Sequence, residues 1–127
     1  MKVLLIDDNV DLTEAVFDYM DMSGIECKVI HSGKEGLEEI TNQKGTYDLI
    51  LLDVAMPELS GFDVLARLKA GGGDNSLLNE ENIVIFTASS VGDSIIHDYM
   101  NQGVKEVLKK PVSMDELALI VEKYKRS

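Results

Sequence analysis

The sequence predicts an α/β fold in which helices cover both faces of a parallel β-sheet. Short unbroken apolar runs at 3–6, 49–52 and 83–86 are typical of strands that are buried on both faces. These runs alternate with longer segments in which apolar residues recur at helical spacing, and such alternation indicates βαβ units. At 127 residues, without an internal repeat or a linker, the chain is expected to form one domain, 1–127.

Three strands and two helices are predicted in the first half of the chain. Val3–Ile6 forms the first strand, and the following helix ends near Ser23–Gly24. Apolar and polar residues alternate over Glu26–Ile30, which predicts a second strand at a sheet edge. Ser32 and Glu35 have the spacing of a capping box and begin the second helix. Leu49–Leu52 forms the third strand, so this half of the chain already contains the parts of a βαβαβ unit.

The second half continues the same alternation. Apolar residues at helical spacing predict three more helices, carried by Phe62, Leu65 and Leu68, by Ile95, Ile96, Tyr99 and Met100, and by Leu117, Ile120, Val121 and Tyr124. Gly71–Asn75 ends the first of these, and a loop continues to about Glu81. Ile83–Phe86 and Lys105–Lys109 form the fourth and fifth strands. A second capping box at Ser113–Glu116 begins the last helix, which completes five strands and five helices.

Composition excludes several classes of function. The formal net charge of −11 argues against an electrostatic nucleic-acid footprint and against binding to an anionic membrane surface. No apolar run approaches the length of a membrane span, and the N-terminus lacks the pattern of a signal peptide, so a cytoplasmic location is expected. Cys27 is the single cysteine and has no partner for an internal disulfide.

Polar residues follow four of the five predicted strands. Asp7 and Asp8 follow the first, Asp53 the third, Thr87 the fourth and Lys110 the fifth. The carboxyl ends of parallel strands share one edge of the sheet, where ligands bind in open α/β folds. Three crowded carboxylates repel each other by roughly 1–4 kcal/mol per pair, and Mg²⁺ is a suitable counter-ion. Each residue alone is also explained as a loop charge or a strand residue, but together they provide a nucleophile, a metal site and a cation for phosphoryl transfer.

These residues resemble the motifs of the response regulator receiver domains of two-component signalling. The resemblance extends from Lys2 to about Lys123 and depends on four motifs, namely Asp7-Asp8, Asp53-Val54-Ala55-Met56-Pro57 with Gly61, Thr87-Ala88 and Lys110-Pro111. It implies a flavodoxin-like doubly wound sheet of five parallel strands in the order 2-1-3-4-5, with five helices. It also implies a single receiver domain without an output domain in 1–127.

By the same resemblance, Asp53 is the phosphoacceptor. Asp7 and Asp8 hold Mg²⁺, together with Asp53 and the backbone carbonyl of Ala55, and Asp8 is the more direct ligand. Ala55 and Ser89 occupy the two positions that modulate dephosphorylation in the family. The domain is therefore expected to assist its own phosphorylation and dephosphorylation rather than to act as an enzyme on other substrates.

The resemblance also assigns the groups around the phosphoryl group. Thr87, Ala88 and Lys110 are expected to contact it, and the peptide bond before Pro111 is expected to be cis. The sequence departs from the family at Val107, where an aromatic residue is frequent, and at Val112, which often is Phe. The site is therefore complete, while the residues that usually relay its state are altered.

Three classes of function remain at this point. The first is a phosphorylation-controlled switch. A sensor histidine kinase or a phosphotransfer protein would phosphorylate it, and a downstream protein would bind the face formed by the fourth helix, fifth strand and fifth helix. The second is an enzyme, but haloacid-dehalogenase-like phosphatases place the nucleophile after the first strand, and flavodoxins need a Ser/Thr-rich loop there. The third is a receiver-like scaffold that works without phosphate, an alternative that Val107 keeps open.

Overall fold

A computed structural model describes residues 1–54, 61–70, 81–88 and 90–125, and it contains the predicted parallel sheet. Its strands are β1 (Lys2–Ile6), β2 (Glu26–Ile30), β3 (Leu49–Asp53), β4 (Ile83–Thr87) and β5 (Glu106–Lys109). Its helices are α1 (Val10–Met22), α2 (Gly33–Asn42), α3 (Gly61–Ala70), α4 (Asp93–Asn101) and α5 (Met114–Tyr124). The sheet order is β2-β1-β3-β4-β5 with every pair parallel, which confirms the expected fold class.

Side chains alternate between two core layers along the central strands. One layer lies under α2, α3 and α4, and its buried members include Leu4, Ile6, Ile40, Ile50, Leu52, Leu68, Ile83, Ile85 and Tyr99. The other layer lies under α1 and α5 and includes Val3, Leu5, Val16, Met20, Leu49, Leu51, Val84, Phe86, Leu117 and Val121. Because both faces of β1, β3 and β4 are covered, these strands are continuous apolar runs.

Two predicted elements differ or fall outside the described residues. β5 begins at Glu106, one residue later than predicted, while the Lys105 N–H already donates to the Ile83 carbonyl at 2.8 Å. The predicted glycine loop Gly71–Asn75 lies outside the described residues, and so do Ala55 to Ser60 and Ser89. None of the helices in the described ranges has the length and the apolar composition needed to span a membrane.

Side-chain caps fix the starts of three helices. The Asn9 side chain accepts a hydrogen bond from the Leu12 N–H at 3.1 Å at the start of α1. Ser32 accepts from the Glu35 N–H at 3.4 Å and Ser113 from the Glu116 N–H at 3.1 Å, as the two capping boxes predict. A cap of this kind satisfies an N–H group that has no partner within the helix. The segments between the strand ends and the following helices are therefore held in place.

A polar network fastens α2 to the sheet. The Tyr47 hydroxyl donates a hydrogen bond to Glu39 Oε2, and Lys28 Nζ lies 3.0 Å from the same oxygen. The Glu39 side chain is 14% exposed. The hydrogen bond from Tyr47, followed by that from Lys28, lowers the pKa of Glu39 below its ordinary value, while burial raises the pKa of Tyr47. The charged form of Glu39 is thus the form that stabilises the fold.

Replacing Glu39 with Gln is expected to lower the free energy of unfolding by about 1 kcal/mol at neutral pH. Because the folded pKa of Glu39 lies below the unfolded value of 4.5, its contribution is complete above pH 4.5 and is lost as the pH falls through the folded pKa. Urea unfolding of both proteins across this range measures the difference. Glu38→Gln, at an exposed neighbouring position, is the control, and a Glu39→Gln deficit that stays constant at low pH contradicts the assignment.

Candidate functional site

The carboxyl edge of the sheet brings together three acidic residues that are distant in sequence. One carboxylate oxygen from each of Asp7, Asp8 and Asp53 lies within 4.8 Å of the other two. The parallel register explains this proximity, because Ile6 pairs with Leu52 and the next residue of each strand end is an aspartate. Asp7 and Asp53 are 0% and 1% exposed, whereas Asp8 is exposed to solvent. The predicted acidic residues therefore form one cluster.

Lys110 reaches into this cluster from the end of β5. Its Nζ lies 3.2 Å from Asp7 Oδ2 and 3.3 Å from Asp53 Oδ2. The Lys110 N–H donates to the Thr87 carbonyl at 2.8 Å, which ties the residue to the end of β4. The peptide bond between Lys110 and Pro111 is cis. One ammonium group is thus shared between two buried carboxylates.

Burial and neighbouring charges shift the pKa values of Asp7 and Lys110. Burial raises the pKa of Asp7 above its ordinary value, while the hydrogen bond from the Asn9 N–H at 2.9 Å opposes the increase and repulsion by Asp53 adds to it. Burial alone would lower the pKa of Lys110, but Asp7 and Asp53 outweigh it and hold that pKa above its ordinary value. The lysine therefore stays charged, while a negative charge on Asp7 is costly.

The charges and donor atoms of the cluster fit a divalent cation. Three carboxylates and one ammonium leave a formal charge of −2. Two carboxylate charges within 4.8 Å of each other repel by at least about 3 kcal/mol at an effective dielectric constant of about 20. All three candidate ligand atoms are carboxylate oxygens, which suit hard Mg²⁺ and leave positions for water and phosphate. Asp7, Asp8 and Asp53 are the described residues that would hold it, while Ala55 lies outside the described residues.

Thr87 and Ala88 lie at the adjoining strand end. Phe86 pairs with Asp53, so Thr87 is the next residue along β4, and it is 1% exposed while Ala88 is exposed. A cleft of about 490 Å³ opens beside them, lined by Asn9, Leu12, Ala88, Lys110, Pro111 and Val112. Ala88 and Lys110 thus line one cleft, while Thr87 is buried beside Ala88 and Ser89 lies outside the described residues.

Asn9 is a residue of the site to which the sequence analysis assigned no role. Its side chain caps α1, and its backbone N–H donates to Asp7 Oδ1 at 2.9 Å. It also lines the cleft beside Lys110. Its position three residues before Leu12, at the start of the apolar helical pattern, was the available signal, since Asn is favoured as an N-cap.

The two positions that depart from the family pattern are aliphatic members of the core. Val107 in β5 is partly buried against the layer under α2, α3 and α4. Val112 is partly buried against the layer under α1 and α5. Neither of these two residues provides an aromatic ring beside the site.

Comparisons with known proteins give a consistent result. The protein-family model of the response regulator receiver domain matches residues 3–122. The chain is 34% identical to the transcriptional regulatory protein CiaR of Streptococcus pneumoniae, over 96% of this chain and 50% of that protein. It is 31% identical to the aerobic respiration control sensor protein ArcB of Escherichia coli, over 98% of this chain and 15% of that protein.

A solved structure supports the same conclusion. The receiver domain of the Francisella response regulator 1452 is 28% identical, with a TM-score of 0.81 over 97% of this chain and 94% of that chain. The chain thus spans about half the length of CiaR and nearly the whole of an isolated receiver domain. With its parallel sheet, its acidic cluster and a family match over 3–122, the chain belongs to the response regulator receiver domain family.

Proposed function

We propose that this receiver domain is a phosphorylation-controlled switch in which Asp53 accepts the phosphoryl group. The observation that carries the proposal is the buried Asp53 carboxylate, which lies in the acidic cluster and 3.3 Å from Lys110 Nζ. A carboxylate oxygen of Asp53 forms the new bond to phosphorus, and the bond from phosphorus to the donor breaks. The leaving group takes that electron pair, as expected for a phosphohistidine or an acyl phosphate donor.

The surrounding residues prepare this transfer. Asp7, Asp8 and Asp53 would hold Mg²⁺, which when bound supplies positive charge to the transferring phosphoryl oxygens. Lys110 stabilises the negative charge that the aspartyl phosphate carries, and the hydroxyl of Thr87 donates a hydrogen bond to it. The domain itself therefore promotes both gain and loss of the phosphoryl group, and no separate substrate is turned over.

The proposed partners follow from the same site and from the exposed apolar residues. A sensor histidine kinase or phosphotransfer protein in the cytoplasm supplies the phosphoryl group. A downstream protein binds the face of α4, β5 and α5, which exposes Ile95 (39%), Met100 (43%), Met114 (43%) and Leu119 (72%). These side chains are apolar surface that the downstream protein would cover. The net charge of −11 disfavours direct binding to nucleic acid or anionic membranes.

Incubation with acetyl phosphate and Mg²⁺ is expected to add one phosphoryl group to this protein. Intact mass spectrometry measures the gain, and peptide mapping after borohydride reduction locates it at Asp53. Asp53→Asn keeps the size of the side chain and removes the nucleophile, so it is expected to stay unmodified. Asp48→Asn, which changes another aspartate of the same region, is the matched control and is expected to accept the group.

Two outcomes contradict the proposal. A parent protein that stays unmodified under these conditions favours the phosphate-independent scaffold, to which the aliphatic Val107 also points. A phosphoryl group that appears equally in Asp53→Asn means that another residue is the acceptor.

Omission of Mg²⁺ with chelator present is expected to reduce the modification strongly, since the phosphoryl oxygens then face uncompensated carboxylates.

A further inference from the structure

Gly36 in α2 allows an unusually close approach of this helix to the end of β1. A Cβ built on Gly36 would lie 2.7 Å from Cδ1, 2.9 Å from Cγ2 and 3.0 Å from Cγ1 of Ile6. Carbon atoms are normally about 3.5–4.0 Å apart in van der Waals contact. Both residues are buried, so the Ile6 side chain has no solvent-filled space to move into. Any side chain at position 36 must therefore displace Ile6 or α2.

Ile6 lies directly beside the acidic cluster in the backbone of the sheet. It immediately precedes Asp7 and pairs with Leu52, which immediately precedes Asp53. It also pairs with Ile30 on the other side, whose carbonyl accepts the Asp7 N–H at 3.0 Å. A shift of Ile6 therefore moves the backbone that carries the Asp7 carboxylate.

Helix α2 is not free to retreat from this contact. One turn after Gly36, Glu39 is held by the Tyr47 hydroxyl and by Lys28 Nζ at 3.0 Å. Ile40, four residues after Gly36, is 1% exposed in the same core layer as Ile6. A side chain added at position 36 is consequently expected to displace Ile6, the last residue of β1, rather than to move the helix outward.

We propose that Gly36 is a positioning residue for the acidic cluster. Its missing side chain sets the position of Ile6 and thereby the distances from the Asp7 carboxylate to Lys110 Nζ and to the Asn9 N–H. The expected effect on Mg²⁺ affinity rests on the proposed function, because it requires that the cluster holds Mg²⁺. The expected effect on the position of Asp7 in the metal-free protein does not require Mg²⁺.

The test is a double-mutant cycle of Gly36→Ala and Ile6→Ala. Ile6→Ala removes Cδ1, Cγ2 and Cγ1, the three atoms nearest to the added Cβ. In the parent, Gly36→Ala is expected to weaken Mg²⁺ binding about tenfold, the lower end of the effects known for groups behind metal ligands. In the Ile6→Ala background, the added methyl group occupies part of the space that the lost side chain leaves, so the same substitution is expected to strengthen binding. The sign of the effect thus reverses.

Two measurements follow the cycle. Calorimetric titration with MgCl₂ gives the dissociation constant, and ¹⁵N–¹H correlation spectra of the metal-free proteins give the amide shift of Asn9. That amide donates to Asp7 Oδ1 at 2.9 Å, so its shift reports the position of the carboxylate. Gly36→Ala is expected to change the amide shift of Asn9, and the double variant is expected to return this shift towards the parent value. If Gly36→Ala alone does not fold, Ile6→Ala against the double variant still gives the decisive sign.

Ile40→Val is the control for a merely structural effect. It shortens a buried side chain of the same helix and core layer and is expected to lower the melting temperature without changing the Asn9 shift or Mg²⁺ affinity. The inference is overturned if Gly36→Ala lowers the melting temperature but leaves both site measurements as in the parent. A parent that does not bind Mg²⁺, with an Asn9 shift that still follows the cycle, contradicts the metal in the proposed function and supports the positioning role.

Discussion

Replacing Lys110 with Met is expected to lower the free energy of unfolding by about 3 kcal/mol at neutral pH in metal-free buffer. The Lys110 ammonium lies 3.2 Å from Asp7 and 3.3 Å from Asp53, which are almost fully buried. Removing the cation leaves two buried carboxylates that repel each other and have lost their shared counter-charge, while Met preserves much of the packing volume. Chemical denaturation of both proteins with chelator present measures the loss.

The pH dependence separates this cause from lost packing. Without the cation, the pKa of Asp7, which burial already raises, is expected to rise further in the folded state. A raised folded pKa of an acid means that the folded state gains stability as the pH falls through it, so the deficit of Lys110→Met is expected to shrink under acidic conditions. Lys109→Met, at the exposed preceding residue, is the control. A deficit that does not change with pH, or that Lys109→Met shares, contradicts the assignment.

The sequence was sufficient for the strands and for the convergence of the site. Strands buried on both faces are continuous apolar runs, and parallel strands place their carboxyl ends at one edge, so Asp7, Asp53 and Lys110 were predicted to meet. The strand order was not derivable from periodicity, because crossover connections permit several orders. It followed from the family resemblance and is confirmed by the observed β2-β1-β3-β4-β5 arrangement.

The remaining features depend on contacts between elements, which periodicity does not encode. Glycine at position 36 is an ordinary weak helix former in the sequence, and only the packing against Ile6 shows why it lacks a side chain. The bonds from Tyr47 and Lys28 to Glu39 join α2 to β2 and to the segment before β3. The raised pKa of Asp7 likewise results mainly from burial, a property of the completed fold rather than of its neighbours in sequence.

Replacing Asp7 with Asn is expected to have opposite effects on stability without and with Mg²⁺. In metal-free buffer the variant should be more stable by about 1 kcal/mol, since burial and Asp53 make the charge on Asp7 costly. The amide oxygen can still accept from the Asn9 N–H, and Lys110 keeps Asp53 at 3.3 Å. At a hundred times its dissociation constant, Mg²⁺ should stabilise the parent by about 2.7 kcal/mol.

The variant lacks a buried carboxylate that we propose as a Mg²⁺ ligand and is expected to gain much less from Mg²⁺. The order of stability of the two proteins is therefore expected to reverse between the two buffers. Urea unfolding with chelator and with saturating MgCl₂ measures all four free energies. Asp11→Asn removes the same charge at an exposed position in the first turn of α1 and should retain the full Mg²⁺ stabilisation. An Asp7→Asn protein that gains as much from Mg²⁺ as the parent would show that Asp7 is not a ligand. If Asp7→Asn is less stable than the parent in chelator, the ion pair between Asp7 and Lys110 stabilises the parent by more than the burial of Asp7 destabilises it.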